Sequence, residues 1–143
     1  MPESSLVSCF IDTNVWLYAF VESQDEDKAR IAKELIENNQ PAISAQVINE
    51  VCVNLIRLSD ISEDEVQTLI ASFYRRYSIF ELSREVLVQA SRLRGRYAFS
   101  FWDSLIVSSA LQSGAGVLYS EDMQDGLMIE ERLAVRNPFA VAK

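Results

Sequence analysis

The chain has 143 residues, the size of one ordinary domain, and its 49% apolar and 24% charged residues are a globular rather than a disordered composition. It contains no histidine, which excludes Ser-His-Asp and Cys-His catalysis, imidazole acid–base pairs and histidine-held zinc. Neither GxGxxG nor GxxxxGKS/T occurs among its four glycines, and a net charge of −8 argues against binding a polyanion over the whole surface.

Leu6 to Ile11 is a short apolar run closed by Asp12, a buried strand by pattern. Residues 14–22 read as a helix, although a continuing strand has the same apolar pattern. Glu26 to Asn39 carries Ala29, Ile31, Ala32, Leu35 and Ile36 at helical spacing and stops before Pro41. Pro41 to Ile43 is a strand candidate. Ser44 then caps a helix to about Leu58 with Val47, Ile48, Val51, Cys52 and Leu55 on one face. Ser62 and Glu65 form a capping box ahead of Val66, Leu69, Ile70, Phe73 and Tyr77.

Ser78 to Leu82 reads as a strand. Ser83 opens a helix to about Arg94 that is expected to stop near Gly95, and Ser100 to Ser113 is a further helix ended by Gly114. Gly116 to Ser120 is a buried strand candidate, followed by the acidic turn SEDMQDG. A last short strand, Leu133 to Val135, precedes Asn137-Pro138. Strands alternating with long helices imply right-handed βαβ units and a parallel sheet covered on both faces, within a single domain spanning 1–143.

Cys9 and Cys52 sit in apolar runs and read as buried free thiols. The opening MPESSLVS has no charged n-region, and no apolar run approaches 18 residues. The expectation is a reduced, cytoplasmic protein with no membrane association.

Without histidine, the tools left for chemistry are carboxylates, hydroxyls, arginines and a metal. Asp12 and Asp122 each follow a strand, and ligands of open parallel sheets bind beyond strand C-termini. Turn and cap chemistry accounts for both acids equally well, with Thr13 and Asn14 as turn residues or as groups orienting the carboxylate. Glu50 lies on the polar strip Gln46, Asn49, Asn54, Arg57, which a solvated helix face explains. Asp103 stands in an S-x-x-D cap among Phe99, Phe101 and Trp102, and Asp125 lies three residues past Asp122. Acids converging on one crevice repel unless a divalent cation lies between them, and hard oxygen ligands suit Mg²⁺ or Mn²⁺. Residues 66–102 hold six arginines (75, 76, 84, 92, 94, 96) against only Glu81 and Glu85. That stretch is either a phosphate-gripping face or ordinary solvated helix.

FIDTNV at 10–15, SAQVINE at 44–50, SFWDSLIVSSA at 100–110 and LYSEDMQDG at 118–126 together resemble the PIN-domain ribonucleases, and in particular the VapC-type toxins of toxin–antitoxin modules. The resemblance runs from about residue 7 to 139. It implies a three-layer α/β/α sandwich around a parallel sheet of about four to five strands. It also implies an acidic quartet of Asp12, Glu50, Asp103 and Asp122 holding one or two Mg²⁺ or Mn²⁺ ions, with Asp125 as a further acid and Thr13, Asn14 and Ser44 in support. RNA as substrate, an antitoxin partner and a homodimer are implied too, with Arg92, Arg94 and Arg96 as RNA contacts. The apolar residues of the 62–77 helix serve the core on the preferred reading and an interface on the other. A metal lowers the pKa of bound water from 15.7 to about 7, chemistry that suits a chain without histidine. Two other readings stand beside this one. A haloacid-dehalogenase-type phosphatase wants a second Asp where Asn14 stands, and a catalytically silent module would bind RNA or protein only.

Overall fold

A computed structural model describes residues 7–140. Six helices flank one six-stranded sheet of order β3-β2-β1-β4-β6-β5. The strands are β1 (Cys9–Ile11), β2 (Pro41–Ser44), β3 (Ser78–Phe80), β4 (Val117–Tyr119), β5 (Met128–Ile129) and β6 (Leu133–Arg136). The helices are α1 (Thr13–Phe20), α2 (Glu26–Glu37), α3 (Ala45–Ser59), α4 (Glu63–Arg76), α5 (Arg84–Arg96) and α6 (Phe101–Ser113). The first strand was expected to begin at Leu6, which lies outside the described residues, as does most of the opening stretch read as lacking a leader. Among the described residues no helix is long and apolar enough to cross a membrane.

The strand order explains where a site can form. The chain moves outward from β1 to β2 and β3, then returns to place β4 on the other side of β1. Right-handed crossovers therefore put α1–α4 on one face and α5–α6 on the other. The order reverses between β1 and β4, which opens a crevice at their C-terminal ends. Parallel register sets Ile11 beside Tyr119, so Asp12 and Ser120 emerge side by side.

The core follows from the apolar runs. Phe10, Ile11, Ile43, Leu118, Leu133 and Val135 fill the sheet, and Val15, Trp16, Val47, Val51 and Val107 cover it from the helices. Trp16 donates its indole N–H to Ile11 O at 3.1 Å and meets Phe73 and Tyr77 edge-on at 5.4 and 5.2 Å, tying α4 to α1. Ala29 and Ala32 are buried and let α2 approach α1 closely. Both cysteines are free and buried, and burial pushes the Cys9 thiol up to about 11.

One sequence expectation needs correction. The sheet is mixed, because β5 pairs antiparallel with β6 at the edge. Its hairpin turns through Glu130 and Glu131, both in the left-handed region (φ 53° and 55°). Asn-Gly normally signals such a turn, so Glu-Glu conceals it. Tyr97 holds this turn, its hydroxyl accepting from Glu130 N at 3.0 Å and donating to Glu130 Oε2 at 3.2 Å, and Arg96 adds an ion pair at 2.7 Å. As expected, α5 ends near Gly95, its last helical residue being Arg96. The apolar residues of α4 serve the core as expected: Val66 and Phe73 are buried, and Leu69, Ile70 and the C-cap Tyr77 pack against the core half-buried, while Tyr74 is exposed. The capping box at Ser62 and Glu65 is present as expected, with bonds of 3.1 and 2.9 Å, and Gly114 ends α6 at φ 82°.

Candidate active site

Asp12 is at once the residue after β1 and the N-cap of α1, so the sheet and the helix fix it together. It is 7% exposed. Its Oδ1 accepts from Thr13 N at 2.7 Å and its Oδ2 from the Ser120 hydroxyl at 2.9 Å. Its own N–H donates to Tyr119 O at 2.9 Å across the β1–β4 switch point. Burial pushes its pKa from 3.8 up to about 6, with the charges of Asp103 and Glu50 adding to the rise and the bonds from Ser120 and Thr13 opposing it.

Glu50 departs from the solvated-face reading. It is half-buried, and α3 turns it toward α1, where Oε1 accepts from the Thr13 hydroxyl at 2.7 Å. Oε2 accepts from Gln46 Nε2 at 3.3 Å. Ser44, fully buried, caps α3 through Val47 N at 3.2 Å and bonds to none of the acids. Asp103 lies in the first turn of α6, whose N-cap Ser100 accepts from its N–H at 3.1 Å. Burial raises the Asp103 pKa first, followed by the charges of Asp122 and Glu50. Asp122 is exposed on the turn after β4 and accepts a hydrogen bond from the Asn14 amide.

Four carboxylates from β1, α3, α6 and the β4 turn thus share one electrostatic neighbourhood. Among the described residues no three of them form a ready-made metal cluster. The donor chemistry nevertheless fits a hard divalent cation. Only oxygen acceptors and amide or hydroxyl donors touch the acids, with no cationic side chain bonded to any of the four. Gln46 Oε1 is also buried with no hydrogen-bond donor among the described residues, one more acceptor in surroundings already rich in them. Gln46 and Ser120 are the polar groups that sequence reasoning missed. The strand-end position of Ser120 was the available signal; the polar strip gave none for Gln46.

The other expected residues have surroundings of their own. Asp125 accepts from Asn137 N at 2.8 Å and ties the acidic turn to the chain after β6. Arg94 donates to Ser104 Oγ at 2.7 Å and stacks 4.0 Å from the Phe101 ring, latching α5 to α6. Arg96 is paired with Glu130. Arg92 is exposed. The six arginines do not make one face, because Arg75 and Arg76 end α4 while the other four lie on α5 across the sheet.

Asp103 and Asp122 line a cleft of about 300 Å³. Hollows of about 510 Å³ beside Arg75 and Arg76 and about 550 Å³ beside Arg92 and Arg96 are larger, yet none of the four acids lines them. Size alone does not mark the site.

A strand-end acid at the switch point of a mostly parallel sheet, with three more carboxylates around it, defines a class that the comparisons name. The PIN domain model matches residues 9–124, and the chain belongs to that family. The phosphatase reading falls with this assignment. Among solved structures, a toxin–antitoxin complex from Klebsiella pneumoniae is similar over 94% of this chain and 100% of its own (22% identity, TM-score 0.70). VapC20 of Mycobacterium tuberculosis, described as a sarcin-ricin loop cleaving toxin, is similar over 80% and 90% (18%, 0.64). FitAcB from Neisseria gonorrhoeae is similar over 93% and 99% (16%, 0.64). These neighbours share the fold of the VapC-type resemblance seen in the motifs. No curated protein matches the sequence.

Proposed function

We propose that this PIN-domain protein is a Mg²⁺- or Mn²⁺-dependent ribonuclease and the toxin of a toxin–antitoxin pair. The observation that carries the reading is Asp12, a buried carboxylate at the β1–β4 crevice whose neighbouring charges, Asp103 and Glu50, are of its own sign. Such an arrangement favours a bound divalent cation, because an opposite charge among the ionised carboxylates relieves their repulsion.

Asp12, Glu50, Asp103 and Asp122 are the residues that would hold it. Asp125 is proposed as a further acid beside this set, its Oδ1 accepting from Asn137 N. The chemistry such an ion supplies is an activated water and neutralisation of charge on the scissile phosphate. The chain's own part is orientation. Ser120 and the Thr13 N–H fix the two oxygens of Asp12, the Thr13 hydroxyl and Gln46 fix those of Glu50, and Asn14 holds Asp122. Arg92, exposed and without a hydrogen bond or ion pair to a described residue, is the arginine of the 92–96 trio proposed first to contact the RNA backbone.

The toxin–antitoxin nature of the K. pneumoniae neighbour and the cleaving activity ascribed to the M. tuberculosis one support the assignment. An antitoxin and a second copy of this chain are the proposed partners. Exposed Val53, Ile56, Leu58 and Tyr74 on α3 and α4 supply apolar surface for them. Purified protein incubated with a mixed RNA pool is expected to cleave with Mn²⁺ or Mg²⁺ and not with EDTA, and D12N not to cleave. Equal cleavage by wild type and D12N, or cleavage undiminished by EDTA, would contradict the proposal.

A further inference from the structure

The cleft beside Asp103 and Asp122 is not made of acids alone. Tyr97 and Phe99 form one wall, their ring centroids 5.4 Å apart and tilted by 37°. Met123, Gln124 and Leu127 line it as well. Tyr97 is immobilised through its hydroxyl by Glu130, so the aromatic wall is set before anything binds. Gln124 is exposed, and its side-chain amide makes no hydrogen bond to a described residue, leaving a donor and an acceptor available side by side. At about 300 Å³ the cleft is at the lower end of small-molecule sites and takes one flat ring system.

We infer that this cleft is a nucleobase pocket: an unpaired RNA base lies against Phe99 and Tyr97, faces Met123 and Leu127, and has its polar edge read by Gln124. The inference rests on the ribonuclease reading and adds to it which substrate group is selected and by which residues. Sequence-specific RNA recognition uses splayed bases stacked on aromatic rings and hydrogen-bonded along their edges, which is the combination present here. Asp103 and Asp122 line the same cleft, so a phosphodiester held by those carboxylates would lie next to that base. Phe99 and Gln124 act as specificity-determining residues, with no part in bond cleavage.

The test is an NMR titration of the full chain with AMP, CMP, GMP and UMP, and with ribose 5-phosphate as the probe lacking a base. At least one mononucleotide is expected to shift the Met123 and Leu127 methyl signals, and ribose 5-phosphate to leave them in place. In RNA cleavage, F99A is expected to raise KM roughly tenfold, the effect of losing one base–ring stack, with kcat held within about threefold. Q124A, on an exposed turn that tolerates substitution, is expected to change the relative rates on short RNAs differing at a single base. Equal shifts from ribose 5-phosphate, or no shift together with unchanged KM and base preference in both variants, overturn the pocket. Nucleotide-induced shifts without any RNA cleavage support the pocket and remove the nuclease reading. Cleavage with no shifts and neutral variants removes the pocket and leaves the nuclease.

Discussion

Replacing Asp12 by asparagine is expected to abolish cleavage and, at neutral pH in EDTA, to make the protein more stable. The Asp12 pKa is raised from 3.8 to about 6, chiefly by burial and further by Asp103 and Glu50. At about 1.4 kcal/mol per pH unit, ionising this carboxyl in the folded chain costs about 3 kcal/mol more than in the unfolded chain. The native state holds the proton more tightly. Stability is therefore complete below 3.8, falls as pH rises toward about 6, and is level above it with respect to this group. Asparagine has nearly the same volume; its Oδ1 still accepts from Thr13 N, and its amide donates to Ser120 Oγ, which also accepts from Met123 N, so the serine hydroxyl gives up its acceptor and offsets part of the gain. A gain of about 2–3 kcal/mol is expected at pH 7.5, on the order of 6–10 °C in Tm for a chain this size. Urea denaturation of both proteins in EDTA at pH 4, 5.5 and 7.5 measures it, the gain shrinking toward pH 4. A variant equal to or less stable than wild type at pH 7.5 would refute the assignment of Asp12 as a desolvated, like-charge-crowded acid.

S120A removes a hydrogen bond that lowers the Asp12 pKa; the pH at which Mn²⁺ binding is half developed should move upward, as read by calorimetry between pH 5 and 8. R94A breaks the bond to Ser104 and the stack on Phe101, and a stability loss of about 1–3 kcal/mol with little change in RNA affinity is expected in denaturant melts. R92A should do the reverse: unchanged stability, weaker RNA binding, and a slope of log K against log salt smaller by about one. S62A removes one half of the capping box on α4, a loss of about 1 kcal/mol by the same melts.

The sequence by itself determined most of the local architecture. Caps at Ser44, Ser62, Ser83 and Ser100, the C-terminal Gly114 and the spacing of apolar residues place the helices, because these signals act within one or two turns of chain. Strand-end positions marked Asp12 and Asp122 for the same reason. Tertiary structure alone decided the rest of the site. A polar strip on α3 reads the same whether it faces water or a polar crevice, so only the packing of α3 on α1 joins Glu50 to Thr13. Ser120 reaches Asp12 through the β1–β4 register, a pairing 108 residues apart in sequence. The edge strand β5 stayed hidden because two residues carry no periodicity and its Glu-Glu turn is held by the distant Tyr97 and Arg96. The arginines of α5 look alike as letters. Arg94 bonds to Ser104 and stacks on Phe101, Arg96 pairs with Glu130, and Arg92 faces solvent, differences set by which groups long-range folding brings within bonding distance.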